Sequence, residues 1–287
     1  MISLMPNWLK KKTRPSLRRC SSDLGKFWVI ENDGLSKHII NNIAHEPHFF
    51  DFLKLISTTE TNAFDLGANI GTHSVCMARQ FSAGTVFAFE PLALTFSMLQ
   101  MNILENNCLN VRSFRFAVTG ETGRYVEMEN TDFSKRGVNV GSSKIETSST
   151  RFNDGVLTIK LDDFICPKIS FIKMDIQGSE FNALIGMRRL VLRDRPLFFV
   201  EIEENYLVLF GASSKRLIEE FFALGYTLYR INTEYPCDHI AVPDEQVSDF
   251  ETKLLPQYPW EVTKLKGQTI ELTFIASRNT YDSFTLT

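Results

Sequence analysis

Short, unbroken apolar runs alternate with stretches of helical spacing along most of the chain. The runs "NAFDLG" (62–67), "TVFAFE" (85–90), "ISFIKMD" (169–175) and "RPLFFVEIE" (195–203) are largely continuous in apolar residues, which predicts strands covered on both faces, and "VRSFRFAV" (111–118) reads as a further strand. Between them, 71–81, 93–106, 179–190 and 213–224 space their apolar residues helically, as at Leu94, Met98 and Met101. Further strands are expected at Phe27–Ile30 and at "YTLYRI" (226–231). Strands taking turns with helices of this length predict βαβ units, a parallel sheet and the α/β class. Two segments break the rhythm. Residues 130–155 are rich in Ser, Thr, Asn and Gly, which marks a lid or acceptor loop. From about 233 to 287 the chain reads as an elaboration on the sheet's far edge rather than as a second domain.

Composition narrows the class. The 287 residues are 44% hydrophobic and 23% charged, as in a globular protein, and 24 phenylalanines predict an aromatic core. A net charge of −3 gives no global field for nucleic acid. The first 22 residues hold Lys10, Lys11, Lys12, Arg14, Arg18 and Arg19 and no acid. A basic arm over 1–24 is therefore expected, as a solvated tail or, through Trp8 and Leu9, as a peripheral contact with an anionic membrane. Residues 25–287 would form one domain with its core at about 60–203. No run approaches the roughly 18 apolar residues of a membrane span, and no secretory leader is evident. The five cysteines form no CxxC, so the expectation is a cytoplasmic protein without a zinc or disulfide framework.

The loop "DLGANIG" (65–71) follows the first core strand, and ligands of open α/β sheets bind beyond the carboxyl ends of strands. Gly67 and Gly71 would let the backbone turn and approach a ligand. Two phosphate-binding readings fail. Gly71 is followed by Thr72-His73 rather than Lys and Ser/Thr, and Asn69 stands where GxGxxG requires glycine. Asp65 would also repel a pyrophosphate. A carboxylate there suits S-adenosylmethionine, which carries an ammonium and a sulfonium. Glu90, at the end of the second strand, is placed to accept both ribose hydroxyls of an adenosine ligand.

"FDLGANIGTHS", "VFAFEP", "LQMNILENN", "LDDF", "IKMDIQGSEFNALIGM" and "FFVEIE", in that order between Asn62 and Glu203, resemble the FkbM-type methyltransferases. "DHIAVP" (238–243) is similar to a late strand of that family. The resemblance implies a Rossmann-like, seven-stranded class I methyltransferase sandwich, mostly parallel, with helices on both faces. It implies O-methylation from S-adenosylmethionine, often of sugar or polyketide hydroxyls. It also implies that Asp65, Gly67, Asn69 and Gly71, with Ala68 and Thr72, hold the methionine end of the cofactor. Glu90 with Pro91 would hold the ribose, and Ala117 with Val118 the adenine edge. The family's frequent D-x-E-G-x-E reads Asp175-Ile176-Gln177-Gly178-Ser179-Glu180 here. An amide therefore replaces the middle carboxylate, and only a hydrogen-bonding role survives at Gln177.

Methyl transfer is an in-line displacement that gains most from positioning. A sugar hydroxyl is a poor nucleophile, so a base should take its proton. Asp175 is the first candidate, Glu201 the second and Glu180 the third. Lys173 shares a face with Asp175 and would lower its pKa, which counts against base action. Together the three acids could instead hold a divalent cation. Asp162 or Asp163 reads as a helix cap, and His73 as a structural residue or a ligand contact. The reading is an O-methyltransferase acting on a carbohydrate hydroxyl. Its rivals are a nucleic-acid methyltransferase, one acting on another small molecule, and a non-catalytic cofactor-binding module. A nicotinamide oxidoreductase is disfavoured because GxGxxG is absent.

Overall fold

The computed structural model describes residues 15–43, 45–56, 59–128, 145–146, 155–235, 237–265 and 273–275. Most of the expected lid at 130–155 and the first 14 residues of the basic arm lie outside them. The chain opens with a hairpin of β1 (Leu17–Ser22) and β2 (Gly25–Ile30), so the end of the expected basic arm is a strand. Two helices that the sequence reading passed over follow: α1 (Gly34–Ile40) and α2 (Pro47–Leu55). Asp33 caps α1 by accepting from the Ser36 amide. Pro47 begins α2 at the position where a missing N–H costs nothing.

Then come β3 (Ala63–Leu66), α3 (Thr72–Gln80), β4 (Val86–Phe89), α4 (Ala93–Glu105) and β5 (Val111–Phe114), the expected alternation. Four short strands, β6 (Ala117–Val118), β7 (Tyr125–Met128), β8 (Ile145–Glu146) and β9 (Gly155–Ile159), form a separate small sheet. The alternation resumes with β10 (Phe171–Met174), α5 (Glu180–Gly186), α6 (Arg188–Asp194), β11 (Leu197–Glu201), α7 (Glu204–Leu207) and α8 (Ser214–Ala223). It closes with β12 (Tyr226–Ile231), β13 (Asp238–Pro243), β14 (Val262–Leu265) and β15 (Thr273–Ile275).

The main sheet runs β15-β14-β12-β13-β11-β10-β3-β4-β5. β11, β10, β3, β4 and β5 are mutually parallel, and β13 is antiparallel to β11. Seven of these nine strands make up the expected class I methyltransferase sheet, and β14 and β15 extend its far edge. Chain order reverses between β3 and β10, so the carboxyl ends of these strands frame the crevice where ligands bind. One apolar cluster packs α2, α3 and α4 on one face, and a second packs α5, α6 and α8 on the other. Burial on both faces explains the unbroken apolar runs. Among the described residues, no helix is long and apolar enough to cross a membrane.

Candidate functional site

The carboxyl ends of β3, β4, β10 and β11 open onto a cavity of about 820 Å³. Gly67, Asn69 and Thr72 line it from the first loop, Glu90 and Pro91 from the second, and Ala117 and Val118 from β6. Asp175 and Glu201 line it from the ends of β10 and β11. Four predicted residues, Asp65, Ala68, Gly71 and Glu180, stand behind this wall instead.

Asp65 is fully buried and accepts from Ser74 Oγ of α3 at 2.5 Å, while its Oδ1 has no protein partner. Burial pushes its pKa up, opposed by nearby Lys173 and the Ser74 hydroxyl. Both glycines turn the backbone through the left-handed region, as expected. A Cβ on Gly67 (φ +81°) would lie 1.8 Å from the Asp175 carbonyl oxygen, and one on Gly71 (φ +94°) 2.6 Å from Leu99 Cδ1. The missing Cβ at each makes room for the protein's own β10 loop or α4, and Gly67 also borders the cavity. Asn69, in the left-handed region at φ 51°, turns its amide onto Glu90 Oε2 at 2.8 Å. Glu90 Oε1 accepts from the Leu92 amide and Thr95 Oγ1. Three protein donors thus occupy this carboxylate, leaving one lone-pair position on Oε2. Burial raises the Glu90 pKa against those three donors. Fully buried Asn102 of α4 fixes the loop from behind, donating to the Ile70 carbonyl and pairing with the Trp28 backbone of β2.

At the end of β10 the acids interlock. Lys173 Nζ lies 3.3 Å from Asp175 Oδ2, as the shared strand face predicts. Gln177 Nε2 donates to Asp175 Oδ1 at 2.7 Å and to Glu201 Oε2 at 3.1 Å. The amide that replaces the family's carboxylate is therefore a bridge between two carboxyls. Burial raises the Asp175 pKa, but Lys173 and the hydrogen bonds from Gln177 and Glu201 bring it below the ordinary carboxylate range. Burial and the neighbouring Asp175 charge push Glu201 the other way, up to about 11. Carboxyls this close do not both ionise. Burial and the Asp175 charge favour the proton on Glu201, while Lys173 and Gln177 favour the charge on Asp175. Glu180, 2% exposed, clamps the loop by accepting from the Ile176 and Gly178 amides at 2.8 and 2.9 Å. Burial raises it to about 7. It touches the loop and not the cavity.

Apart from His73, read from the sequence as a structural residue or a ligand contact, the rest of the cavity wall was not foreseen. Four of the chain's five histidines, His38, His45, His48 and His73, line it, so this wall carries most of the chain's imidazole. His48 Nε2 lies 2.7 Å from Asp238 Oδ2, and Asp238 faces Glu201 in the β11–β13 register. His73 contacts Glu46 at 3.3 Å and packs edge-on to Phe49. Burial drives the His73 pKa well below its usual value and raises Glu46, with Asp238 nearby, to about 8. Tyr206, Tyr235 and Trp260 complete the wall. Local signals for α2 were present: a proline after an acid, then inward-facing Phe49, Phe52 and Leu53. The pairing of His48 with a residue 190 positions away leaves no local trace. Asp162 accepts from the Arg189 and Leu190 amides at the start of α6, a capping contact. Among the described residues, no group of three or more His, Cys, Asp or Glu is arranged to hold a metal ion.

Comparison with known proteins gives consistent relatives. The chain is 25% identical over 194 residues to methyltransferase sdnD of Sordaria araneosa, covering 55% of this chain and 75% of that protein. It is 24% identical over 195 residues to the hexuronic acid methyltransferase AglP of Haloferax volcanii, covering 65% and 75% respectively. Among solved structures, the methyltransferase FkbM of Methylobacillus flagellatus KT superposes with a TM-score of 0.46 at 18% identity. That match covers 64% of this chain but only 44% of the longer protein. The profile described as the methyltransferase FkbM domain matches residues 65–228, more than half of the chain, and the chain belongs to this family of methyltransferases.

Proposed function

We propose that the chain is an S-adenosylmethionine-dependent O-methyltransferase acting on a hydroxyl of a carbohydrate. One observation carries this reading: a single cavity joins the Glu90 end to the Asp175–Glu201 pair and the aromatic wall beyond. The residues present fit the cofactor. Glu90 lines the cavity, and its Oε2 keeps one open position. Glu90 with Pro91 would hold the ribose, and Ala117 with Val118 the adenine edge. Gly67, Asn69 and Thr72 would border the methionine end, while Ala68, Gly71 and Asp65 support that loop from behind.

When bound, S-adenosylmethionine supplies an electrophilic methyl on a sulfonium. The protein's part is to hold and orient. Ionised Asp175, fixed by Lys173 and Gln177, presents a negative charge at the β10 end. Glu201, favoured in its neutral form by burial and by Asp175, hydrogen-bonds to Asp175 and keeps the charge there. Tyr206, Tyr235 and Trp260 offer flat apolar faces with polar edges, which suits a sugar ring. The name of the Haloferax relative, a hexuronic acid methyltransferase, supports a sugar acceptor.

Calorimetric titration with S-adenosylhomocysteine tests the cofactor, beside Glu90→Ala and beside NADH. Saturable binding is expected, lost in Glu90→Ala and absent for NADH. No binding of S-adenosylhomocysteine would overturn the reading. Transfer of labelled methyl to methyl glycosides of hexoses and hexuronic acids then tests the acceptor, with oligonucleotides as the competing class.

A further inference from the structure

We propose that His48, oriented by Asp238, is the general base that takes the proton from the acceptor hydroxyl. This assignment rests on the methyltransferase reading above and names a proton path within it. A base needs a free acceptor atom on the cavity. The acids first expected to serve are committed elsewhere. Asp175 is held by Lys173 and Gln177, Glu180 is turned onto its own loop, and Glu201 is favoured in its neutral form. Glu90 is occupied by three donors.

His48 differs. Its Nε2 is engaged by Asp238 at 2.7 Å, and a neutral imidazole that donates through one nitrogen accepts through the other, here Nδ1. The ring is held between two aromatic neighbours, and the backbone of the same residue is anchored. It stacks on Phe199 with centroids 5.7 Å apart and meets Trp260 edge-on at 5.5 Å, and its own carbonyl accepts from Tyr258 OH at 2.9 Å. Phe199 lies two residues before Glu201 on β11, and Asp238 pairs with Glu201 in register. The dyad therefore sits over β11 and β13, while Glu90 marks the other side of the same cavity at β4. A base held by a buried carboxylate is the arrangement that fixes tautomer and direction in nucleophile activation. Asp238 is then a positioning residue.

The step balances without a further reactant. The acceptor oxygen forms a bond to the methyl carbon as the carbon–sulfur bond breaks. Sulfur keeps that electron pair and becomes a thioether, and the hydroxyl proton passes to His48 Nδ1. The imidazolium so formed is stabilised by Asp238 and loses its proton to solvent when the product leaves. Both residues lie outside the segment 65–228 that matches the family profile.

The test compares the full chain with His48→Gln, His48→Ala and Asp238→Asn. S-adenosylhomocysteine affinity should stay within about twofold in all of them, and melting temperature controls for folding. With a methyl glycoside that the wild type methylates, His48→Gln should lower kcat by about 100-fold or more with little change in KM. Added imidazole should restore part of the His48→Ala loss, which a purely structural histidine would not show. A kcat within threefold of wild type, or a loss that follows melting temperature or cofactor affinity, overturns the proposal. Imidazole nitrogen NMR on histidine-labelled protein decides independently of any acceptor. His48 should be the neutral Nε2–H tautomer at neutral pH, and an Nδ1–H tautomer or an imidazolium overturns the proposal. If the wild type binds S-adenosylhomocysteine but methylates no probe, the carbohydrate reading falls while the NMR result still judges the dyad. If it does not bind, the cofactor reading itself falls.

Discussion

Gln177 occupies a backbone conformation that few side chains adopt, at φ 55°, and is followed by Gly178 at φ 106°. Such strain persists only where surrounding contacts enforce it. Here the enforcing contacts are the Glu180 carboxyl on two loop amides and the two hydrogen bonds that Gln177 donates to Asp175 and Glu201. An amide supplies two N–H groups where a carboxylate would supply none. Gln177→Glu would set a third carboxyl between two that already share one charge. The variant is expected to take up about one extra proton at neutral pH rather than add a negative charge. Electrophoretic mobility at neutral pH should then match the wild type. A shift equal to a full charge would show that the site tolerates two carboxylates.

Among the elements, α2 links the hydrophobic core to the chemistry. Phe199 of β11 is 2% exposed and packs against His48, Phe49 and Phe52 of this helix. Phe199→Ala is expected to cost about 3–5 kcal/mol in denaturant unfolding, because a large ring leaves a cavity that helix and sheet cannot close. A cost below about 1 kcal/mol would mean that α2 settles into the gap. The same helix shows where the sequence was readable and where it was not. The turn after β3 and the acid after β4 are local signals, since glycines, asparagine and acids at strand ends reveal themselves within a few residues. What the glycines accommodate was not readable, because the Asp175 carbonyl that crowds Gly67 arrives from over a hundred positions downstream. Lys173 against Asp175 was legible from strand alternation. His48 with Asp238 was not, since His48 stands in no motif and meets Asp238, the first residue of "DHIAVP", only because α2 packs on Phe199 of β11 beside β13.

Taken as a whole, the molecule holds opposing buried titratable groups. His239 is pushed down to about 4 by burial, so the native state binds fewer protons than the unfolded chain between there and the ordinary histidine value of 6.5. Stability contributed by that group rises with pH across this interval. Glu180, Glu46 and Glu201 act in the opposite sense, raised chiefly by burial to about 7, 8 and 11. Each keeps its proton in the native state after the unfolded chain has lost it, so each withdraws stability as pH climbs to its native value. Above the histidine range the carboxyls operate, joined from about pH 8 by thiols such as Cys76, which burial pushes up to about 12 and which withdraws stability in the same sense. Unfolding free energy is therefore expected to fall from pH 6.5 to about 8.5, by at most about 1.4 kcal/mol per pH unit for each group, and the melting temperature to fall with it. Glu46→Gln should flatten the part that ends near pH 8. A profile that rises over this range would contradict the buried, protonated assignment.

The hydrogen bond between His48 and Asp238 also sets an order of events during synthesis. Its two ends are separated by 190 residues, which a ribosome takes roughly 10–40 s to join. A nascent chain that has already produced the "DLGANIG" turn and the strands around it still lacks the second member of the pair. A product interrupted before residue 238 would therefore carry the crevice loop and His48 but lack the carboxylate that the proposal gives this imidazole.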